Sequence, residues 1–294
     1  MAHLEDAPLA YGTLAEHGVT MNWVIAVVVL VIIGVVLDRE IYFYEGVHFG
    51  PRLQAWLYDR WSRTYDEGKR ASQLSDDEML AQPLLNALTE VPQPFILDFA
   101  TGTGRLSYAL INRTEFRGYI IALDLSEGML EQAASKLDRQ LNRVELLRHQ
   151  SLPLPFPDAA FDVVCALEVL ELFPNMDNPL AEFNRVLHPG GILLTSRGTE
   201  ESGRKAKVKS VIKLTSLLER NGFEKIQIAK WWKLFDRVIA VKQGLSNPVG
   251  AKSLSEVLQC SSCTSIHWVK IPNRWKCERC GNELPITKEG IILN

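Results

Sequence analysis

At 294 residues the chain is long enough for one large domain and a small appendage. With 47% hydrophobic and 23% charged residues it has the composition of a globular chain, and a net charge of −3 excludes a global electrostatic drive toward nucleic acid. Two regions depart from this average: an apolar run near the N-terminus, and residues 260–280, which hold four of the five cysteines.

Residues 1–20 read as a polar tail, with Glu5, Asp6 and Glu16 and no Lys or Arg. The run WVIAVVVLVIIGVVL, residues 23–37, carries no charge. With Met21 and Asn22 it makes about 17 residues, roughly 25 Å as a helix, the short end of a membrane span. Its alternative is a buried strand or core helix, which would normally show a polar face over such a length. Ile41-Tyr42-Phe43-Tyr44 suits the headgroup level. There is no basic region ahead of the run, and Asp38-Arg39-Glu40 stands where small residues would mark cleavage, so a signal peptide is disfavoured. Arg39, Arg52, Arg60, Arg63, Lys69 and Arg70 follow it. The expectation is a transmembrane anchor over 21–44, with the bilayer as a partner and the remainder on the cytoplasmic side.

Residues 45–243 alternate strand and helix signals. Strands are expected at 95–99, 118–123, 161–167 and 192–195, and helices at 105–112, 126–141, 180–187 and 209–221. Residues 225–230 and 237–242 read as a terminal antiparallel pair. This order predicts an α/β fold, a Rossmann-like doubly wound sheet with a terminal antiparallel strand. Turn formers at 244–248 mark a linker, and residues 250–294 form a separate small module.

The chemistry-bearing segment is Asp98-Phe99-Ala100-Thr101-Gly102-Thr103-Gly104, between the first strand and the following helix. Gly102 and Gly104 allow positive φ and close approach of a ligand, and the carboxyl end of a strand is where open α/β sheets bind ligands. Asp124 ends the second strand, where a carboxylate can accept hydrogen bonds from ribose hydroxyls. A lone Gly-x-Gly is equally a plain turn; the succession of strand, Asp, Gly-x-Gly, helix, strand and Asp favours a nucleoside site.

On these residues the chain resembles the class I S-adenosylmethionine (SAM) dependent methyltransferases. ILDFATGTGRLS is similar to their first motif, ALDLSEGML to the second, LPFPDAAFDVV to the segment after the adenine contact, and EFNRVLHPGGILL to the late helix, turn and strand. YDRWSRTYD, with Tyr58-Asp59 and Tyr65-Asp66, resembles the N-terminal segment of the branch that includes quinone and sterol methyltransferases. The resemblance covers about residues 55–243. It implies SAM as cofactor, held by the loop with Asp98, Ala100, Thr101, Gly102 and Gly104. Asp98 would organise the methionine end, Asp124 hold the ribose, Leu125 lie beside the adenine, and Gln150 and Ser151 meet the adenine edge. Glu168 would lie near the methyl group, and Tyr58 and Tyr65 would close the site. Two positions depart from the family pattern: Ala100 replaces a glycine, and Gln150 replaces an Asp whose acceptor role a carbonyl can still fill.

Methyl transfer from a sulfonium is an in-line displacement in which positioning dominates, and a base is needed only if the acceptor must lose a proton. The candidate catalytic residues are Glu168 and His188, with Glu171 as a further carboxylate. Between 204 and 242 lie eleven basic residues against three acidic ones. Beside an anchor, that excess fits anionic headgroups better than nucleic acid. Trp231 and Trp232 fit either the interface or the core.

Cys260-x2-Cys263-x13-Cys277-x2-Cys280 matches a closed four-thiolate zinc site, with Zn2+ in a structural role. Two disulfides are the alternative, disfavoured in a reducing compartment. The tail CGNELPITKEGIILN resembles the end of zinc ribbons of the methyltransferase-activator type, which implies contact with a substrate carrier or another protein. Cys165 reads as a small buried hydrophobe. Three functional readings stay open. The first is an anchored methyltransferase acting on a lipophilic small molecule such as a quinone or lipid. The second is an RNA or protein methyltransferase, and the third an inactive assembly subunit.

Overall fold

Alternation along β1 (Phe95–Phe99) sets the two layers of the core. Phe95, Leu97 and Phe99 pack into one apolar cluster and Ile96 into another on the opposite face. In β2 (Tyr119–Asp124), Ile121 and Leu123 join the first cluster, and Ile120 and Ala122 the second. Such a strand is apolar throughout because both sheet faces are covered, which is why these segments read as continuous hydrophobic runs. Cys165, in β4 (Phe161–Ala166), is fully buried in the second cluster.

The computed structural model describes residues 13–138, 142–202 and 209–294, with side chains from residue 22 onward. The remaining strands of the main sheet are β3 (Val144–Arg148), β5 (Leu187–Gly198), β6 (Phe223–Trp232) and β7 (Phe235–Lys242). β8 (Trp268–Ile271), β9 (Arg274–Cys277) and β10 (Glu283–Pro285) form a separate antiparallel sheet of three strands. β11 (Ile292–Leu293) returns to the main sheet, whose order is β11-β3-β2-β1-β4-β5-β7-β6. All pairings from β11 to β5 are parallel, while β7 runs antiparallel to both β5 and β6. The expected doubly wound sheet with a terminal antiparallel pair is therefore present. The sheet order reverses direction at β1, between β2 and β4, and the carboxyl ends of these strands form the crevice of such folds.

The helices are α1 (Thr13–Asp38), α2 (Pro51–Gln73), α3 (Gln82–Ala87), α4 (Arg105–Ile111), α5 (Glu127–Leu137), α6 (Asp177–Val186) and α7 (Val211–Arg220). Gly104, at φ +74°, caps α4, and a Cβ there would lie 3.1 Å from that of Ala133. Ser126 caps α5 by accepting from the Met129 N–H at 3.1 Å.

The expectation of a single-pass anchor is corrected. Among the described residues no helix is long and apolar enough to cross a membrane. The apolar stretch of α1 ends at Asp38-Arg39-Glu40, and Glu40 is tied to His48 at 2.9 Å. From Asn22 to Leu37 the helix spans about 24 Å, against a hydrocarbon core of about 30 Å. The side chains of Trp23, Leu30 and their neighbours on α1 are exposed.

The basic stretch is dispersed. Arg220 pairs with Asp177, Arg237 donates to the Met79 carbonyl, and Lys242 donates to the carbonyls of Asn184 and Leu187. Arg204, Lys205 and Lys207 lie outside the described residues, as do residues 1–12 of the polar tail. Trp231 is 3% exposed, and Trp232 stacks on Phe235, which resolves both indoles as core.

Candidate active site

Helix α2 carries the heptad Tyr58-Asp59…Tyr65-Asp66, and seven residues are close to two turns, so the two pairs share a face. The carboxylates dock that face. Asp59 accepts from the Ser126 hydroxyl at 2.6 Å and the Gly128 N–H at 2.9 Å, at the start of α5. Asp66 accepts from the Thr103 hydroxyl at 2.5 Å and pairs with Lys136 at 2.7 Å. Partial burial works against the Asp66 charge, but hydrogen bonds from Lys136, Thr103 and Gln73 outweigh it and hold the carboxyl below its usual range. The tyrosines thereby reach a cavity of about 400 Å³ at the carboxyl ends of β1, β2 and β4. That is a volume suited to a nucleoside-sized ligand.

Asp98 does not line this cavity. It is 4% exposed and accepts from the hydroxyls of Thr101 and Ser107, each at 2.7 Å. Burial pushes its carboxyl up, against those two hydrogen bonds. It thus folds the loop from within. Ala100 and Gly102 follow at φ +54° and +56° and line the cavity. Ala100 adopts the left-handed conformation that glycine would take at no steric cost, which is how the chain accommodates its departure from the family pattern. Ala100→Gly is expected to stabilise the protein by about 0.5–1 kcal/mol, the relief of the left-handed backbone less the added unfolded-state entropy. Urea denaturation checks this, and a destabilised variant would show that the alanine methyl packs usefully.

Asp124 faces the cavity from the end of β2, and its carboxylate accepts from the Gly102 N–H at 2.8 Å and the Ser126 N–H at 2.9 Å. Leu125, Gln150 and Ser151 line the same cavity with Tyr58, Tyr65 and Glu168. Tyr58 donates to the Glu45 carboxylate, and burial, reinforced by neighbouring negative groups, raises its phenol well above the ordinary value. Thr101 and Gly104 stand behind the loop, Gly104 against α5.

Glu168 sits at φ +55°, its N–H donating to the Ser196 hydroxyl at 2.7 Å. Its carboxylate contacts Lys69 and lies 3.5 Å from Arg105. Both of its oxygens are thereby engaged by basic side chains. His188 is elsewhere, at the opposite end of the sheet where β5 begins. It contacts the Ser246 hydroxyl at 2.8 Å and Asp162 at 3.3 Å, and it does not line the cavity. It secures the linker, and the sequence-based expectation of a base there is corrected by its place in the fold. Glu171 accepts from the Gly198 N–H at 2.7 Å and likewise lies outside the cavity lining.

Sequence reasoning missed the other half of the cavity. Val47 comes from the segment ahead of α2, Pro51 from its first position, and Val169, Leu172, Phe173 and Pro174 from the loop after β4. Lys69 and Arg105 were missed as well, since their partner Glu168 is remote in sequence.

In the C-terminal module the four sulfurs of Cys260, Cys263, Cys277 and Cys280 lie within 4.8 Å of one another. The pairs 260–280 and 263–277 are 3.6 Å apart, far beyond a disulfide bond of about 2.05 Å. The two knuckles repeat one geometry. The Thr264 N–H donates to the Cys260 carbonyl and the Gly281 N–H to that of Cys277, with both donors at positive φ. The module docks on the chain's own domain: Leu254, Val257, Leu258, Trp275 and Leu284 join the first core cluster, and the Leu254 N–H donates to Glu145.

A family model described as a methyltransferase domain matches residues 96–191. The demethylmenaquinone methyltransferase of Lactobacillus johnsonii is 27% identical over 209 residues, 59% of this chain and 86% of that one. The Thermus thermophilus enzyme of the same name is 38% identical over 108 residues, 37% of this chain and 48% of its own length. Apart from the first of these, the chain spans about half the length of the curated relatives it matches. A SAM-dependent methyltransferase from Aquifex aeolicus superposes with a TM-score of 0.52 at 20% identity, over 63% of this chain and 98% of that one, which shows the fold.

Proposed function

We propose that this chain, a SAM-dependent methyltransferase, transfers its methyl group to an apolar, ring-bearing small molecule of the quinone kind. The observation that carries the acceptor class is the set of apolar lining residues Val47, Pro51, Val169, Leu172, Phe173 and Pro174. Uncharged walls favour an apolar acceptor and exclude the water that would compete with it. The names of the two relatives above agree with that class.

The donor set of the cavity fits the cofactor. Asp124 supplies a buried carboxylate for ribose hydroxyls, Leu125 an apolar contact for a base, and Gln150 and Ser151 polar groups at its edge. The sulfonium, when bound, supplies an already activated methyl group. The chain's own residues then position and desolvate: α2 brings Tyr58 and Tyr65 to the cavity, held by Asp59 and Asp66, and Phe173 adds an aromatic side chain to its wall.

In the C-terminal module, the sulfur separations support a structural zinc ion. Tetrahedral thiolates at about 2.3 Å from a metal stand about 3.8 Å apart, close to the 3.6 Å of the two cysteine pairs.

The test supplies labelled SAM to the full chain together with a total cell extract, partitioned afterwards into lipid, RNA and protein, and in parallel with reduced demethylmenaquinone. Label in the lipid fraction and on the quinol is expected. Label confined to RNA or protein would replace the small-molecule reading with a macromolecular one.

A further inference from the structure

The loop that follows β3 is held at both ends by the C-terminal module. Its residues His149, Gln150, Ser151 and Leu152 line the large cavity. At one end β11 lies parallel to β3, with Ile292 beside Leu147 and Leu293 beside Arg148. Just past this pairing the Asn294 N–H donates to the Arg148 carbonyl at 3.1 Å, and the Asn294 amide nitrogen meets Nδ1 of His149 at 3.2 Å. The other ring nitrogen of His149 lies 3.3 Å from the Pro153 carbonyl. An imidazole that accepts from the amide at Nδ1 and donates from Nε2 is the neutral ring, and burial does lower the pKa of His149. At the other end the Gln259 N–H donates to the Pro155 carbonyl at 2.8 Å.

Both grips lead back to the cysteines. Gln259 directly precedes Cys260. Asn294 is reached from Cys277 through β9, which pairs with β10; Ile286, next after β10, bridges to Ile292 in β11. Between the grips, Leu154 and Phe156 share the first core cluster with Leu254, Leu258 and Ile292. That apolar contact is enough to seat the module on the domain. The hydrogen bonds to the loop go further, because they order a stretch of cavity wall. A loop is ordinarily among the least stable parts of such a wall, and a ligand that must order it binds more weakly.

We propose that the C-terminal module is a positioning element for the cavity: through Asn294 and Gln259 it holds residues 149–152 in their ligand-binding form, so that a metal ion on the four cysteines strengthens nucleoside binding in the cavity. Asn294 does not line the cavity and acts through His149 and the loop. The inference rests on the cofactor and zinc readings given above. A module that folds only with its metal supplies the two states that such coupling needs. The coupling is reciprocal, so the nucleoside ligand tightens the hold on the metal by the same factor.

Calorimetry on the full chain tests it with two ligands: S-adenosylhomocysteine, and S-inosylhomocysteine, whose base carries an oxygen in place of the adenine amine. The zinc-loaded native protein is expected to bind the first about 10-fold more tightly than the second, because Gln150 and Ser151 meet that edge. Asn294→Ala removes the amide and is expected to weaken S-adenosylhomocysteine about 5-fold. Asn294→Pro removes the N–H as well and is expected to weaken it about 30-fold and to narrow the preference between the two bases to about 2-fold. Both variants should retain zinc. A strong chelator should reproduce the Asn294→Pro loss in the native protein, and saturating S-adenosylhomocysteine should raise zinc affinity, read by chelator competition, by about 30-fold. A variant that merely loosened the fold would weaken both ligands in proportion, and that outcome overturns the positioning role. Affinity unmoved by the chelator, or unmoved by Asn294→Pro, overturns the coupling. A native protein that binds neither ligand overturns instead the cofactor reading, and one that takes up no Zn2+ overturns the zinc reading and the coupling with it.

Discussion

Replacing Asp124 with Asn is expected to lower affinity for S-adenosylhomocysteine by about 100-fold, because charge-assisted hydrogen bonds contribute about 1.5–3 kcal/mol each. Burial pushes the Asp124 carboxyl up to about 6, against hydrogen bonds from the N–H groups of Ser126, Gly102 and Leu125. Two opposite pH trends follow from that one residue. Ligand affinity of the free protein falls as pH drops below about 6, since the protonated carboxyl no longer accepts from both ribose hydroxyls. Stability moves the other way. The folded state binds this proton more tightly than the unfolded state, so the residue's contribution is gained as pH falls from about 6 toward the ordinary carboxyl value. That contribution is lost as pH rises back through 6. Calorimetry and denaturant titrations at pH 5, 6 and 7 read the two trends separately, and Asp124→Asn should flatten both. Affinity that is level from pH 5 to 7 in the native protein would remove Asp124 from ribose binding.

On the proposed zinc assignment, a chelator is expected to unfold the C-terminal module while the central strands stay folded. A module of this size buries too little apolar surface to be stable alone, and structural zinc contributes apparent free energies of about 10–16 kcal/mol in small ribbons. Amide hydrogen exchange provides the readout. After a strong zinc chelator, protection should vanish across 260–293, and β3 should lose the partner strand that now lies along its edge. The strands β1 and β4, flanked on both sides, should keep theirs. Cys277→Ser should reproduce the effect without chelator. Unchanged exchange in both cases would mean that packing of Trp275 and Leu284 suffices to hold the module.

The parallel centre of the sheet was legible because each strand is buried on both faces. The expectation of a strand at 95–99 matches β1 residue for residue; β2 is shifted by one residue at each end, and β4 stops one residue short of expectation. The cavity-lining residues Gly102 and Asp124 were legible for a related reason: they lie at or just past strand ends, where topology leaves few places for a ligand. What stayed hidden depends on partners distant in sequence. β3 reads VELLR, its apolar positions interrupted by Glu145 and closed by Arg148, so no long hydrophobic run announced it. The turn expected at 188–191 is an irregularity inside the long strand β5, where pairing shifts between Phe161 and Val163. His188 looked chemical beside Pro189 and Gly190, and only the fold shows that it faces Ser246 and Asp162. The apolar run of α1 signalled a span, but Asp38, Arg39 and Glu40 close it about a turn short.

The outer strands of the main sheet bear on self-association. A row of unpaired peptide groups invites another chain to add itself, and the hazard grows with the length and flatness of the free edge. One margin here ends in β11, whose pairing with β3 covers only Ile292 and Leu293. The other margin, β6, carries Glu224, Lys225 and Lys230, and its pairing shifts register between Glu224 and Gln227, with Lys225 at φ +51°. One edge is too short to template a further strand, and the other is bent and charged. An eight-stranded sheet with so apolar a centre is thereby kept from propagating into fibrils.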